Sequence, residues 1–353
     1  MTTKLRNAPA ASPVLDPHRG DALLRPAALA KVWTGRDAPF ETMAVPGVLL
    51  GPGDAIVAVE LATVCGNDVR IVAGARPAPA PLVLGHEYVG RIVALSPSGA
   101  HDASGSALRL GDRVVAGSVV DPAGPGSGSP EDDSDAGVPA ADGPSRRVRH
   151  YGAERIGAHW ELSGAFATHV HVRRGTAIVP VGERIPARVA APAACGAAVA
   201  WAALRHAEQS TRLAQAVVQI DGAGLVGLTA TSMAADRGAR VVVSEPDRRR
   251  RVLARRFGAV AAYDPCDRAA REKALRKAGA TVVDVVLDGV GDDGAHDASG
   301  ADLRAAIDYL RGAWGRRPFE DLVDPVLPLD AVDEALRLSG PGGPVRVGID
   351  PRR

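Results

Sequence analysis

The chain has 353 residues, 46% of them hydrophobic, and a formal net charge of +1. That length supports two domains with their own cores, the near-zero charge offers no electrostatic footprint for nucleic acid or an anionic membrane, and no stretch is apolar for long enough to cross a bilayer. The N-terminus, Met1 to Asp21, lacks the apolar core of a signal peptide, so a cytoplasmic location is expected, and three widely spaced cysteines suit metal binding by reduced thiols better than a disulfide framework.

Residues 1–26 read as a loose, proline-rich lead-in. From Ala28 to Val120 short strands are broken by Gly and Pro. Ala55–Glu60 alternates, and Gly90–Leu95 and Asp112–Gly117 are further strands, so this part is expected to be all β. A flexible surface loop is expected over 121–150, where Gly, Pro, Ser, Asp and Ala dominate and the acidic run Glu131–Asp135 is solvated. Order returns at Tyr151. Gly164–Val172 reads as one strand, with His169 and His171 as structural residues on one face. Pro186–Ala207 reads as an Ala-rich helix carrying Cys195.

A βαβ series follows. Strands are expected at Ala216–Asp221, Ala239–Glu245, Ala259–Tyr263 and Val282–Leu287, with helices at Leu225–Arg237, Arg248–Phe257 and Ala269–Ala278. A further helix, Ala301–Arg311, comes almost at once, and the tail Leu322–Ile349 mixes helix and strand.

Two constellations carry chemistry. Cys65-Gly66-Asn67-Asp68, Gly85-His86-Glu87 and Cys195 together offer two thiolates, an imidazole and a carboxylate. Zinc takes Cys sulfur and His nitrogen in tetrahedral sites, and a catalytic site keeps one position open. Cys65, His86 and Cys195 are therefore the expected ligands of one zinc, with Glu87 as an occasional fourth ligand or a carboxylate behind His86. Cys266, in an Asp-Pro-Cys-Asp turn, reads as a bystander, and Tyr88 and Trp160 as either pocket wall or core. The second constellation is Gly222-Ala223-Gly224-Leu225-Val226-Gly227, which follows a buried strand and opens an apolar helix. Gly222 makes the tight turn, Gly224 admits a pyrophosphate, Gly227 lets helix and strand pack closely, and the helix N-terminus takes the phosphate charge. Glu245 ends the second strand, where a carboxylate bonds the ribose 2′-hydroxyl and repels a 2′-phosphate. NAD is thus favoured over NADP. Arg248–Arg251 argue the other way, and of these Arg250 is counted with the cofactor set.

With these residues assembled, the chain resembles the zinc-dependent medium-chain dehydrogenase/reductase family from about Ala28 to Pro351. The strings that carry the likeness are Ala62–Asp68, Leu84–Gly90, Leu110–Val114 and the fingerprint at Gly222. Gly175–Pro180 with Ala190–Cys195 further resembles a subgroup associated with phosphonate catabolism, with relatives acting on cyclitols. The resemblance implies an α/β chain: a GroES-like β-barrel catalytic domain over 27–196, a Rossmann cofactor domain over 197–298, and a return to the first domain over 299–353. It implies a zinc- and NAD-linked alcohol dehydrogenase acting on a small polar alcohol or its carbonyl, such as a polyol, cyclitol or phosphonate-bearing alcohol. A degenerate homologue serving as a binding or scaffold protein is the alternative.

Four departures from the family pattern stand out. The region of its four-cysteine structural zinc is Cys-free here, so a single zinc site is expected. Asn67 replaces the proton-relaying hydroxyl, and an amide cannot relay a proton in that way; Arg70 stands where a relay histidine often does, so proton transfer would need water, Asp68 or another route. The cofactor domain is short by roughly 40 residues, the two βα passes that complete a six-stranded fold. Those strands line the nicotinamide and often pair across the dimer, so a homo-oligomer would have to form without them. Finally, Asp221 places an acid just before the fingerprint.

Overall fold

The structure is a computed structural model that describes residues 14–15, 21–121, 148–157, 159–289 and 298–353. Most of the lead-in, most of the expected loop over 121–150 and the stretch 290–297 lie outside the described residues. Extended backbone begins earlier than the sequence suggests. β1 (Val14–Leu15) pairs antiparallel with β2 (Asp21–Trp33), and β2 with β3 (Glu41–Leu49). The loose lead-in therefore stops short of residue 26. Ala22 and Leu24 are buried while Leu23 and Arg25 are exposed, the period-two pattern of a half-buried strand.

There follow β4 (Ala55–Thr63), α1 (Gly66–Val72), β5 (Leu82–Val83), β6 (Glu87–Leu95), β7 (Arg113–Val120), β8 (Arg149–His150), β9 (His169–Val172) and β10 (Thr176–Pro180). The single strand expected over Gly164–Val172 is shorter in the structure. Gly164 presses so closely on Val83 that a Cβ would lie 2.0 Å from its carbonyl oxygen. The N–H groups of Ala165 and Phe166 donate to Gly85 and Leu84 instead of continuing a ladder.

The expected helix over Pro186–Ala207 is also broken. α2 (Ala187–Ala190) leads into a 3₁₀ turn (Ala191–Ala193), and α3 (Ala197–Ala207) starts afresh at 56° to it. Pro192 cannot continue an α-helical ladder, and Gly196 has no side chain to hold one. Cys195 lies in this break rather than on a helix.

The nucleotide-type unit comprises β11 (Val217–Asp221), α4 (Leu225–Asp236), β12 (Arg240–Ser244), α5 (Arg248–Arg256), β13 (Ala261–Tyr263), α6 (Arg268–Lys277) and β14 (Val285–Asp288). The chain then forms α7 (Gly300–Ala313), β15 (Val323–Pro328), α8 (Val332–Leu338) and β16 (Arg346–Asp350). Among the described residues the parallel sheet has four strands, in the order β13-β12-β11-β14. β11 alternates cleanly: Val218 and Ile220 face α3, α4 and α7, whereas Val217 joins Val242, Tyr263 and Leu275 on the other face. The larger sheet runs β10-β7-β6-β4-β16-β15, with β8 on β7 and β9 on β4, so the last strand inserts beside β4. One continuous core joins Leu61, Val89 and Val115 of this sheet to the helices over the parallel one. No single helix among the described residues is long and apolar enough to cross a membrane.

The two strand histidines are built into the barrel wall. The His171 Nε2 is 2.8 Å from buried Asp54, whose carboxylate also accepts from the Gly51 and Arg174 N–H groups. His169 stands 3.0 Å from the Thr168 hydroxyl, and burial pushes its pKa down to about 4. A folded pKa below the unfolded value means that the unfolded chain binds the proton more readily. Stability is therefore complete above about pH 6.5 and is lost as pH falls toward about 4. His169→Gln should remove about 1–3 kcal/mol of that acid dependence. Urea midpoints for the two proteins at intervals between pH 7 and pH 4 check this: parallel curves would contradict it.

Candidate functional site

Two ligand-bearing strings meet at the end of the β4–β6 pair. β4 hands over to α1 at Cys65, which caps the helix in extended conformation. The tie that shapes this corner is Asp68, fully buried, whose Oδ2 accepts from the Cys65 N–H at 2.8 Å while Oδ1 accepts from the Gly85 N–H at 3.3 Å. Gly85 turns at φ 92°, and a Cβ there would lie 2.7 Å from the Phe166 ring. Only glycine brings the chain close enough for His86 to face Cys65.

The Cys65 and Cys195 sulfurs are 3.9 Å apart, and one ligand atom each from Cys65, His86, Glu87 and Cys195 lies within 4.8 Å of the others. Two thiols, an imidazole and a carboxylate at this spacing fit a zinc ion by donor chemistry and by count. The structure thus brings together all four residues that the sequence singled out for metal. Cys266 is exposed and lies outside this cluster.

The charges of the cluster act strongly on one another. Cys65 accepts a hydrogen bond from the Cys195 thiol, which holds its pKa well below the usual thiol range against the opposing effect of burial, with Arg346 and His86 assisting. The same bond, with burial, pushes the Cys195 thiol up. Burial opposes charge on His86, yet the Cys65 thiolate, Asp68 and Glu87 together raise its pKa to about 10. Burial raises Asp68 to about 7 although His86 pulls it down. Asp68 is 3.7 Å from the His86 Nδ1 and has no exposed surface, so it lies under the site rather than on a path to solvent.

Arg346 was not visible in the sequence. It enters from β16, 259 residues away from Glu87, and donates through Nε at 2.9 Å and Nη2 at 2.9 Å to the two carboxylate oxygens. Its Nη2 also lies 3.8 Å from the Cys65 sulfur. Burial opposes its charge, but Glu87 and Cys65 hold the guanidinium protonated. The Thr63 hydroxyl donates to Glu87 Oε2 at 2.5 Å, so both carboxylate oxygens are occupied. No local signal marks Arg346; its place follows from the pairing of β16 with β4. Tyr88 and Trp160 are both core residues, packed with Tyr151 and Phe166 inside the barrel. Asn67 accepts from Arg70 Nη2 at 2.5 Å, so these two stand as a pair at the rim.

The fingerprint has the expected geometry. Gly222 turns at φ 95°, and a Cβ on Gly227 would lie 2.0 Å from the Gly222 carbonyl oxygen. At Gly224 a Cβ would meet nothing closer than 3.9 Å, which leaves room at the mouth of α4 for a phosphate. Glu245, 5% exposed, accepts from the Ala223 N–H at 2.7 Å and the Asp247 N–H at 2.8 Å. Asp221 accepts from Gln219 two residues back on its own strand. Arg250 donates to the Gly343 carbonyl at 3.2 Å, which links α5 to the loop after α8. The fingerprint and the metal-type cluster are neighbours, since a Cβ on Gly196, next to Cys195, would lie 2.4 Å from the Leu225 side chain.

Residues 51–183 match the alcohol dehydrogenase GroES-like domain, and residues 226–316 match the zinc-binding dehydrogenase domain. The chain is 45% identical over 75 residues to 5-exo-hydroxycamphor dehydrogenase of Pseudomonas putida, covering 21% of each chain. It is 30% identical over 251 residues to an L-threonine 3-dehydrogenase of Anaeromyxobacter sp., covering 69% of this chain and 62% of that one. It therefore spans between about a fifth and three-fifths of these curated relatives. An alcohol dehydrogenase from Thermotoga maritima shares the fold with a TM-score of 0.72 at 22% identity, over 92% of this chain and 99% of that one.

Proposed function

Because the chain belongs to the zinc-dependent medium-chain dehydrogenase/reductase family, whose members here are named as alcohol and threonine dehydrogenases, we propose that it interconverts a small polar alcohol and its carbonyl with NAD as the hydride carrier. The observation that carries this reading is the contact between Gly196 and Leu225, which sets the Cys65–His86–Cys195 cluster against the mouth of the dinucleotide fingerprint. Zinc, when bound there, supplies a Lewis acid for the substrate oxygen, and the nicotinamide supplies or accepts hydride. The chain's own residues prepare the place. Asp68 fixes the Cys65 and Gly85 backbones and so sets the distance between the Cys65 and His86 ligands. Arg346 and Thr63 orient Glu87 beside them. Asn67 carries an amide, so the substrate proton leaves through water rather than through a side-chain hydroxyl.

Glu245, a carboxylate at the end of β12, favours NAD; exposed Arg248 and Arg249 beside it are the groups that would instead favour a 2′-phosphate. Polyols, cyclitols and phosphonate-bearing alcohols are the substrates to try first, on the subgroup resemblance. A cytoplasmic location fits two reduced thiols held in ligand geometry. The parallel sheet, four-stranded among the described residues, favours a second reading, a non-catalytic homologue that binds or scaffolds.

One titration separates the two readings: zinc-loaded protein against NADH, with NADPH in parallel, followed by nicotinamide fluorescence. Saturable NADH binding and turnover of a polar alcohol would support the enzyme. Binding of neither nucleotide, with no turnover, would leave the non-catalytic reading.

A further inference from the structure

The parallel sheet is complete on one side of its crevice and cut short on the other. A dinucleotide fold joins two mononucleotide halves, and the ligand crosses the crevice where the strand order reverses. Here that crevice lies between β11 and β14. On the β11–β12–β13 side every element of an adenosine diphosphate cradle stands: the Gly222 turn, the open space at Gly224, the close packing at Gly227, and Glu245 locked to the Ala223 and Asp247 amides.

On the other side the second half has only its first strand. Among the described residues β14 pairs with β11 alone, and Val286 on it is 54% exposed. The chain has no length for more. Only the ten residues 290–299 separate Gly289 from the start of α7, whereas a crossover to another parallel strand takes a dozen or more. α7 then leads to β15, which belongs to the larger sheet. Among the described residues the sheet therefore has no fifth or sixth strand to flank a nicotinamide, and α4, β12 and the fingerprint lie on the adenosine side.

We propose that this sheet recognises only the adenosine diphosphate half of its dinucleotide, so that the nicotinamide ring adds nothing to affinity. The inference rests on the nucleotide site proposed above. Binding without positioning lowers kcat and leaves KM nearly unchanged, because the ring contributes neither to ground-state binding nor to its own orientation.

Calorimetric titration of the full-length zinc-loaded chain with NADH, ADP-ribose, ADP and nicotinamide mononucleotide tests it without reference to turnover. The expected result is one affinity for the first three, within about threefold, and no heat from the mononucleotide. NADH binding more than about tenfold tighter than ADP-ribose, or binding of the mononucleotide, would overturn the inference and leave the cofactor reading standing. No binding by any of the four would overturn both.

Discussion

Cys65→Ser is expected to empty the metal site and to lower turnover by about a thousandfold or more. Cys65 touches Cys195 through sulfur, Asp68 through its N–H, and Arg346 through the guanidinium. Its loss removes a thiolate that the Cys195 hydrogen bond, with Arg346 and His86, holds well below the usual thiol range. Zinc measured on dialysed protein should fall from one ion per chain to a small fraction. Cys266→Ser serves as the control, since that thiol is exposed and lies outside the cluster. Equal zinc retention in the two variants would remove Cys65 from the ligand set.

The largest stability effect should come from Arg346. Glu87 has no exposed surface, and its carboxylate is compensated by one guanidinium and one hydroxyl. Breaking a buried pair by deleting one partner leaves an unpaired charge, at a cost of about 3–5 kcal/mol. Arg346→Met should lower the urea midpoint accordingly. Arg346→Lys should recover only part of the loss, because a lysine supplies a point charge where the site uses a two-toothed fork. Arg346→Met with an unchanged midpoint would show that Glu87 does not depend on this arginine.

The local strings were legible in the sequence because their chemistry needs residues close together. Cys65 and Asp68 share one capping turn, Gly85 and His86 one tight turn, and Gly222–Gly227 one strand-to-helix corner, so spacing alone marks them. The short interval between β14 and α7 was legible for the same reason, since it is a property of the sequence. Cys195 was legible as a residue but not as a conformation. The apolar period runs unbroken through Pro186–Ala207 and masks the break at Pro192 and Gly196, the latter packed on Leu225. β2 was hidden by its Ala- and Pro-containing sequence, whose alternation shows only once β3 covers it. Arg346 and Thr63 had no local signature at all. Arg346 meets Glu87 through a strand pairing across most of the chain, and Thr63 meets it through the β4–β6 pairing.

Cys65, His86 and Cys195 are expected to hold one metal ion beside the fingerprint. Zinc-edge X-ray absorption on the purified chain tests it most directly. One zinc per chain, with two sulfur neighbours near about 2.3 Å and nitrogen or oxygen neighbours near about 2.0 Å, is the expected spectrum. The sulfur shell should halve in Cys195→Ser. An absence of zinc, or a sulfur shell unaffected by that substitution, would contradict the account.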